Sequence, residues 1–198
     1  MITIGLMTGN SLDGVDAVMT DFGCGNIRDI SFMSVPYSAR LKKHMLELRK
    51  EILQFNSDMD KAFKTDLFKK TLKEYSDVCG ITVENLIKQA GVAREKIAAI
   101  GISGQSTGAH NPPSVAGKTQ PFTTQIFQPA KLAKATGIPV VYDIRSDDIF
   151  NGGEGAPLAP MHHLHLSKAL VKKGYSSVCF INGGNTANLT VVNNKNQV

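Results

Sequence analysis

Residues 5–16 read Gly-Leu-Met-Thr-Gly-Asn-Ser-Leu-Asp-Gly-Val-Asp and place a turn between two segments with strand character. An apolar run over residues 2–7 precedes the turn, and residues 15–22 after it alternate apolar with polar side chains at several positions. Such alternation is typical of a half-buried strand. A second turn is predicted at Asn26, Arg28 and Asp29, and a third strand over residues 30–36. The chain is therefore predicted to open with an antiparallel meander.

After residue 37 the hydrophobic period becomes that of a helix. Four apolar side chains recur on one helix face, namely Leu41, Met45, Leu48 and Ile52. Ser57 is predicted to cap a second helix, and Thr82 to begin a third helix that ends at Gly91.

The rest of the chain alternates predicted strands and helices. The predicted elements are a strand over 97–102, a loop over 111–124, a helix over 129–136, a strand over 138–143, a helix over 156–173, and strands over 178–181 and 189–192 around Asn182-Gly183-Gly184. A mixed order of this kind predicts an α/β fold in which helices cover a sheet. The closing strand–turn–strand indicates a first lobe over residues 1–180 and the start of a second lobe over 181–198.

The composition is that of a folded domain. Hydrophobic residues make up 42% of the 198 residues and charged residues 20%, which excludes a disordered or fibrous chain. The 22 Lys and Arg exceed the 17 Asp and Glu by five, but only five of these cations are Arg, and Trp is absent. Nucleic-acid-binding faces cluster Arg and Lys with aromatic residues. We therefore expect no nucleic-acid partner.

Cysteine usage and hydropathy indicate the compartment. The three cysteines, Cys24, Cys79 and Cys179, form no C-x-x-C pair, which suits a reducing compartment and argues against a disulfide framework. The residues from Met1 lack the pattern of a signal peptide, and no apolar run reaches the length of a membrane span. The sequence predicts a cytoplasmic protein with no membrane partner.

The turn over residues 9–14 contains the groups that bind phosphate. It offers backbone N–H groups, a serine hydroxyl and a carboxylate, and Asp13 or Asp16 is placed to hold Mg²⁺ through water. The turn matches neither G-x-x-x-x-G-K-[ST] nor G-x-G-x-x-G. A plain hairpin turn built from Asn, Asp and Gly is the alternative interpretation.

A second candidate segment runs from Asp143 to Asp148 and continues into residues 151–157. It follows a predicted strand, and side chains at the carboxyl ends of strands in α/β folds tend to face ligands. Arg145 between carboxylates can hold hydroxyl or phosphate groups, and the glycines that follow allow close backbone approach. A surface ion-pair loop explains the same residues equally well.

Two further patterns are weaker. Three histidines, His162, His163 and His165, resemble a metal cluster, but no third ligand on one helix face completes a zinc site. Residues 101–105 approach the G-x-S-x-G nucleophile elbow around Ser103, with Gln105 in place of the last glycine, which argues against a serine hydrolase.

Taken together, these segments resemble the anhydro-N-acetylmuramic acid kinases. The shared motifs occur in the same order and at similar spacing: residues 5–16, Gly104-Gln105, Thr124-Gln125-Ile126 with Pro129-Ala130, residues 143–148, residues 152–158, and Gly183-Gly184 with Ala187-Asn188. The resemblance runs from residue 4 to about residue 192. This sequence departs from the family pattern at Asn10, Ser103, Phe127, Ile144, Asp147 and Glu154.

The resemblance implies an actin-like, ribonuclease-H-like ATPase lobe of the sugar-kinase superfamily, with a mixed sheet and helices on its faces. Such kinases use ATP and Mg²⁺ to phosphorylate an anhydro sugar from recycled cell wall while water opens its 1,6-anhydro bridge. The implied nucleotide-binding residues are Gly9, Asn10, Ser11, Leu12, Asp13, Gly14, Val15 and Asp16, with Asp13 and Asp16 on the metal. The implied sugar-side residues are Gln105, Arg145, Asp148, Gly155, Ala156 and Pro157.

The family's catalytic base is an aspartate in a motif like F-D-T-G-P-G-N, and the resemblance places it beyond Val198. No catalytic residue is therefore predicted within these residues, and we expect the chain alone to be inactive. A truncated chain, a split enzyme completed by another chain and a lobe retained for binding alone are three explanations. The alternatives in function are a non-catalytic paralogue that binds a sugar or a partner protein, and a related kinase acting on levoglucosan. Whether two copies form a homodimer stays open.

Overall fold

A computed structural model describes residues 1–23, 27–183, 187–193 and 195. The predictions that involve Cys24, Asn26, Gly184 and Val198 lie outside these residues. The strands are β1 (Ile2–Thr8), β2 (Gly14–Asp21), β3 (Arg28–Pro36), β4 (Ile97–Ile102), β5 (Gln105–Asn111), β6 (Phe122–Ile126), β7 (Val140–Val141), β8 (Ser177–Asn182) and β9 (Asn188–Asn193). The helices are α1 (Ala39–Gln54), α2 (Met59–Ala62), α3 (Asp66–Ala90), α4 (Pro113–Ala116), α5 (Pro129–Thr136), α6 (Ile144–Phe150) and α7 (Pro160–Val171), with a 3₁₀ turn over Arg94–Lys96.

A five-stranded mixed sheet in the order β3-β2-β1-β4-β7 forms the centre of the molecule. The first three strands pair antiparallel, which confirms the predicted meander, while β4 and β7 run parallel to β1. Because strand side chains alternate between faces, Val15, Ala17 and Met19 of β2 all point into the core. They meet the buried faces of α1 and α3, so the predicted helix stripe on α1 from Leu41 to Ile52 is confirmed.

The two helices predicted after residue 57 are wrong in their boundaries. Thr65 caps a single helix, α3, which runs through to Gly91, a left-handed residue that ends it as predicted. Thr82 lies fully buried in mid-helix, and its hydroxyl donates to the Val78 carbonyl at 2.8 Å. A threonine that satisfies its hydroxyl on the preceding turn has no need to cap a helix. Ser57 has a positive φ of 63° in the connection before α2.

The interval predicted as a loop over 111–124 contains more structure than expected. Its flanks pair as an antiparallel hairpin, β5 with β6, and α4 lies between these strands. The strand predicted over 138–143 shortens to β7, since the chain turns at Asp143 into α6, a helix that was not predicted. Arg28 and Asp29 belong to β3, where they pair with β2, and the helix predicted from 156 begins at Pro160.

One face of the central sheet carries exposed apolar side chains. A cross-strand row runs over five strands, from Phe32 through Val18, Gly5 and Gly101 to Val141. Phe32 is 60% exposed and Val141 52%, and Met7 beside them is also exposed. The helices α1 and α3 pack against the opposite, buried face. Large exposed apolar patches mark surfaces that other polypeptide covers.

The last two strands form a separate hairpin, as predicted. On one side α7 packs against it, where His163 stacks on Phe180 with ring centroids 4.5 Å apart and its Nδ1 lies 2.9 Å from the Thr190 hydroxyl. On the other side four side chains are exposed in two cross-strand pairs, Cys179 with Val191 and Ile181 with Leu189. Among the described residues, this two-stranded sheet is thus covered on one face only.

The two cysteines of the described residues differ in reactivity. Cys79 is fully buried in the core, and burial raises the pKa of its thiol to about 12. At pH 8 the Cys79 thiol is therefore neutral, whereas the reactive form of cysteine is the thiolate. Cys179 is exposed. Iodoacetamide at pH 8 is expected to label Cys179 within minutes and Cys79 only on unfolding in guanidinium, as mapped by peptide mass spectrometry. Rapid labelling of Cys79 in the native protein would contradict this packing.

Candidate functional site

The side chain of Leu12 anchors the β1–β2 loop (residues 9–13) to the core. Leu12 donates its N–H to the Gly9 carbonyl at 3.3 Å and takes a positive φ of 55°. A left-handed backbone is strained for a residue with a branched side chain, and such strain persists where the surroundings enforce it. Here the enforcement is burial, since the Leu12 side chain is 1% exposed.

Gly14 allows the loop to close against the end of β3. A Cβ atom at this position would lie 2.3 Å from the Val35 carbonyl oxygen and 2.9 Å from the Pro36 Cα. No side chain fits at that distance from backbone, so glycine is required here. The predicted turn residues are therefore dictated by packing as well as by turn geometry.

Protein donors occupy the carbonyl oxygens of the β1–β2 loop. Gln105 Nε2 donates to the Gly9 carbonyl at 3.0 Å, Arg49 Nη1 to the Asn10 carbonyl at 3.2 Å, and the Tyr37 N–H to the Asp13 carbonyl at 2.9 Å. In the part of the chain that the structure describes, no acceptor bonds the N–H groups of Asn10 and Ser11. Because the C=O and N–H of a trans peptide point in opposite directions, anchoring these carbonyls turns the free N–H groups outward. Such a loop can bind an anion.

Asp13 is the carboxylate best placed beside these amides. Its Oδ1 accepts from the Ser11 hydroxyl at 2.8 Å and from the Gly14 N–H at 3.0 Å. The hydrogen bond from Ser11 is the main cause that lowers the pKa of Asp13, so this exposed side chain is ionised at neutral pH.

Asp16 is the second predicted metal ligand. It is exposed on β2, opposite Met7, while the neighbouring Val15 is buried in the core. Mg²⁺ keeps several waters and takes one or two carboxylates, so Asp13, with Oδ2 left unbonded among the described residues, fits such an ion. Within those same residues no group of three or more His, Cys, Asp or Glu side chains forms a metal cluster.

Gln105 supports the β1–β2 loop from the protein side. Its side chain is 1% exposed, and besides its bond to Gly9 its Oε1 accepts from the Tyr37 hydroxyl at 2.9 Å. Burial is the first cause that raises the pKa of Tyr37, which keeps the phenol protonated as a donor. The family resemblance implies a place for Gln105 on the sugar side, and in the structure both ends of its amide are bonded within the protein.

A second cluster, which we call the Gly155 clamp, consists of Arg145, Asp148 and Gly155. Arg145 and Asp148 are three residues apart on α6 and hold both ends of the same glycine. Arg145 Nε donates to the Gly155 carbonyl at 2.7 Å, and the Gly155 N–H donates to Asp148 Oδ2 at 2.7 Å. Gly155 has a positive φ of 71°, which strains any other residue, and a Cβ there would lie 3.0 Å from side-chain carbons of Ile149. The predicted residues Ala156 and Pro157 follow directly.

The β5–β6 hairpin lies between the two clusters. Arg49 Nη2 donates to the Ser106 carbonyl on β5, and α6 packs against β6. Glu154, beside the clamp, accepts from the backbone N–H and the hydroxyl of Ser114 on α4. Partial desolvation, and then the positive charge of Arg145, lower the pKa of His110 at the end of β5. Among the described residues no hydrogen bond joins the β1–β2 loop directly to the clamp.

The residues of the loop and of the clamp were predicted from the sequence, whereas the residues that hold the loop were not. Arg49 and Tyr37 lie on α1 and just before it, and no local motif marks either of them. Their role depends on contacts across the chain, which a pattern of spacing does not reveal. His163 is used in the hairpin packing described above. Within the described ranges, the Ser103 hydroxyl donates only to the adjacent Gly104 carbonyl, at 3.5 Å.

A mixed sheet that opens with an antiparallel meander, with a glycine turn between its first two strands, fits the lobe of a sugar-kinase-like ATPase. The family model for anhydro-N-acetylmuramic acid kinase matches residues 1–198. The chain belongs to the anhydro-N-acetylmuramic acid kinase family.

Curated relatives agree with this assignment. The chain is 35% identical over 193 residues to the anhydro-N-acetylmuramic acid kinase of Rhizobium johnstonii, 36% over 191 residues to that of Rhizorhabdus wittichii, and 34% over 194 residues to that of Brucella canis. Each match covers 96% of this chain and 48% of the relative. The chain thus spans about half the length of these relatives. In the described residues, no helix is long and apolar enough to cross a membrane.

Proposed function

We propose that this chain provides the nucleotide- and sugar-binding lobe of an ATP-dependent kinase that phosphorylates a 1,6-anhydro sugar, anhydro-N-acetylmuramic acid, and opens its anhydro bridge with water. The observation that carries the proposal is the β1–β2 loop, whose carbonyls accept from protein donors while the N–H groups of Asn10 and Ser11 have no acceptor among the described residues. Family membership supplies the reaction class, and the names of the relatives supply the sugar. The cysteine usage favours a cytoplasmic setting.

The residues at the loop fit ATP and Mg²⁺. Bound MgATP would supply the phosphoryl group and the charge neutralisation on which phosphoryl transfer depends. The Asn10 and Ser11 amides would donate to phosphate oxygens, and Gly9, Leu12, Gly14 and Val15 keep the loop in shape. Asp13, and Asp16 as the second carboxylate, would hold the metal through water. Preorganised donors of this kind need no rearrangement when charge develops.

The Gly155 clamp supports a sugar subsite on the other side of the hairpin. By holding both ends of Gly155, Arg145 and Asp148 fix the path of Ala156 and Pro157. The two Nη groups of Arg145 bond no partner among the described residues and remain available to a substrate oxygen. Gln105 would contribute indirectly, because its side chain holds the Gly9 carbonyl of the β1–β2 loop. Three departures from the family pattern, at Ile144, Asp147 and Glu154, lie beside residues of the clamp in the sequence. Levoglucosan is therefore the alternative substrate.

We propose further that the catalytic base and the second lobe come from polypeptide that corresponds to the other half of the relatives. The first lobe would extend through residue 180, and the hairpin strands β8 and β9 would open the second. The exposed apolar pairs on the outer face of that hairpin support this proposal, because an uncovered sheet face needs a partner layer. That polypeptide is either a continuation of this chain or a complementing one.

A coupled kinase assay tests the proposal. The substrates are ATP, Mg²⁺ and 1,6-anhydro-N-acetylmuramic acid, and levoglucosan replaces the sugar in a parallel reaction. The chain is assayed alone and together with any C-terminal half encoded with it. We expect turnover only in the presence of the second half. Turnover by the 198 residues alone would show that the base lies within this chain. Absence of turnover with a folded second half would favour the non-catalytic, sugar- or partner-binding alternative.

A matched pair of variants connects that activity to the loop. Asp13→Asn keeps an Oδ1 that accepts from Ser11 and Gly14 but removes the charge, so it is expected to raise the Mg²⁺ concentration for half-maximal activity about tenfold. Asp60→Asn removes an exposed carboxylate charge from α2 and should leave that concentration unchanged. Equal Mg²⁺ dependence in the two variants would exclude Asp13 as a metal ligand.

A further inference from the structure

Arg49 is half-buried on α1, yet it has no acidic partner among the described residues. Arg40 on the same helix pairs with Glu74, and Arg94 pairs with Glu84. Arg49 instead donates only to uncharged oxygens, those of the Asn10 main chain, the Asn10 side chain and the Ser106 main chain, each at 3.2 Å. Burying a guanidinium without a counter-charge is costly. Beside the β1–β2 loop, the guanidinium of Arg49 is therefore left without an ion-pair partner among the described residues.

The planar fork of Arg49 acts on one peptide group in particular. Nη1 holds the Asn10 carbonyl and Nη2 holds the Asn10 Oδ1, so main chain and side chain are fixed together. The Asn10 carbonyl and the Ser11 N–H belong to the same planar peptide and point in opposite directions. Holding the carbonyl against α1 therefore aims the Ser11 N–H away from α1.

Asn10 is also one of the positions at which this sequence departs from the pattern that it resembles. Its side-chain carbonyl gives the fork a second acceptor on the same residue. Arg49 Nη2 then reaches Ser106 on β5, so one guanidinium links α1, the loop and the β5–β6 hairpin. Gln105 performs the equivalent task one peptide earlier, at the Gly9 carbonyl.

We propose that Arg49 is a positioning residue for nucleotide binding: its fork presets the Asn10–Ser11 peptide so that the Ser11 N–H meets a nucleotide phosphate, and its charge adds to the attraction. This inference rests on the proposed function for the nature of the ligand. The position of the loop itself does not depend on that function. The two parts can therefore be tested separately.

The test compares the wild-type chain with R49Q, R49K and R40Q. MgATP affinity is measured by calorimetry, with any C-terminal half encoded with the chain present. Hydrogen exchange of the Leu12 and Gly14 amides is measured without ligand. R49Q is expected to weaken MgATP binding about tenfold and to speed exchange at both amides by a similar factor. R49K keeps the charge but lacks the fork that spans two carbonyls, so it should speed exchange as R49Q does and recover only part of the lost affinity. R40Q removes an exposed charge from the same helix and should match the wild type.

Each outcome has a definite meaning. Wild-type affinity in R49Q would overturn the proposal, and so would full rescue by R49K, which would assign the effect to charge alone. If the wild type binds no MgATP, the proposed function fails, and the exchange rates then decide the positioning role by themselves. Unchanged exchange in R49Q would overturn that role, and faster exchange confined to the loop would support it. The unfolding midpoint of each variant is recorded so that a global loss of stability is recognised.

Discussion

Replacing Gly14 with alanine is expected to lower the free energy of unfolding by about 3 kcal/mol, at the upper end for an overpacked site. The added Cβ would lie 2.3 Å from the Val35 carbonyl oxygen, and neither this oxygen nor the Pro36 Cα can rotate away as a side chain can. Relief requires β2 and β3 to separate where the loop closes. Urea unfolding followed by circular dichroism measures the loss, which corresponds to a fall in melting temperature of about 6–12 °C for a chain of this size.

Gly101→Ala is the matched control for this substitution. Gly101 lies in the same sheet on β4, and a Cβ there meets nothing within 4 Å. Alanine should therefore leave stability unchanged or raise it slightly, since it restricts the unfolded chain. Equal stability of the two variants would mean that β3 does not close on Gly14 as the structure has it.

Gln105→Leu is expected to lower the free energy of unfolding by about 2–3 kcal/mol, the cost of leaving buried polar groups without a partner. The substitution removes the donor to the Gly9 carbonyl and the acceptor of the Tyr37 hydroxyl, so the carbonyl and the hydroxyl both lose a hydrogen-bond partner. The Asn10 N–H also loses its preset direction, so MgATP affinity should fall together with stability. Urea unfolding and calorimetry on the same samples measure both effects.

Two companion variants serve as controls for Gln105→Leu: one tests the Tyr37–Gln105 bond, and the other removes an exposed glutamine. In Tyr37→Phe with Gln105→Leu both partners of one bond are removed together, so the double variant should lose less stability than the sum of the single variants. Gln89→Leu removes an exposed amide that bonds Ser31 and the Phe32 carbonyl, and its effect should stay within about 0.5 kcal/mol. Strict additivity in the double variant would argue against the Tyr37–Gln105 bond.

Local pattern was sufficient wherever one short stretch of residues decides the structure. The meander follows from alternation around a turn rich in Gly and Asn, and α1 follows from its apolar period. Local pattern gave the wrong prediction at Thr82, because buried packing of α3 outweighed a capping preference. It also missed β5 and β6, which pair as a hairpin across an insertion that contains Pro112, Pro113 and Pro121. The Gly155 clamp was predicted in part: its residues were candidates from the sequence, but the hydrogen bonds between them were not predicted.

The sequence by itself determined the family, the order of the first strands and the candidate loop at residues 9–16, because these depend on neighbours along the chain. Only the tertiary structure decided which groups hold that loop. Arg49 is 39 residues from Asn10 and Gln105 is 96 residues from Gly9, yet each bonds the loop directly. A hydrogen bond depends on distance and angle in space, and no periodicity in sequence records them. The direction of the Asn10 and Ser11 amides is therefore a property of the folded chain.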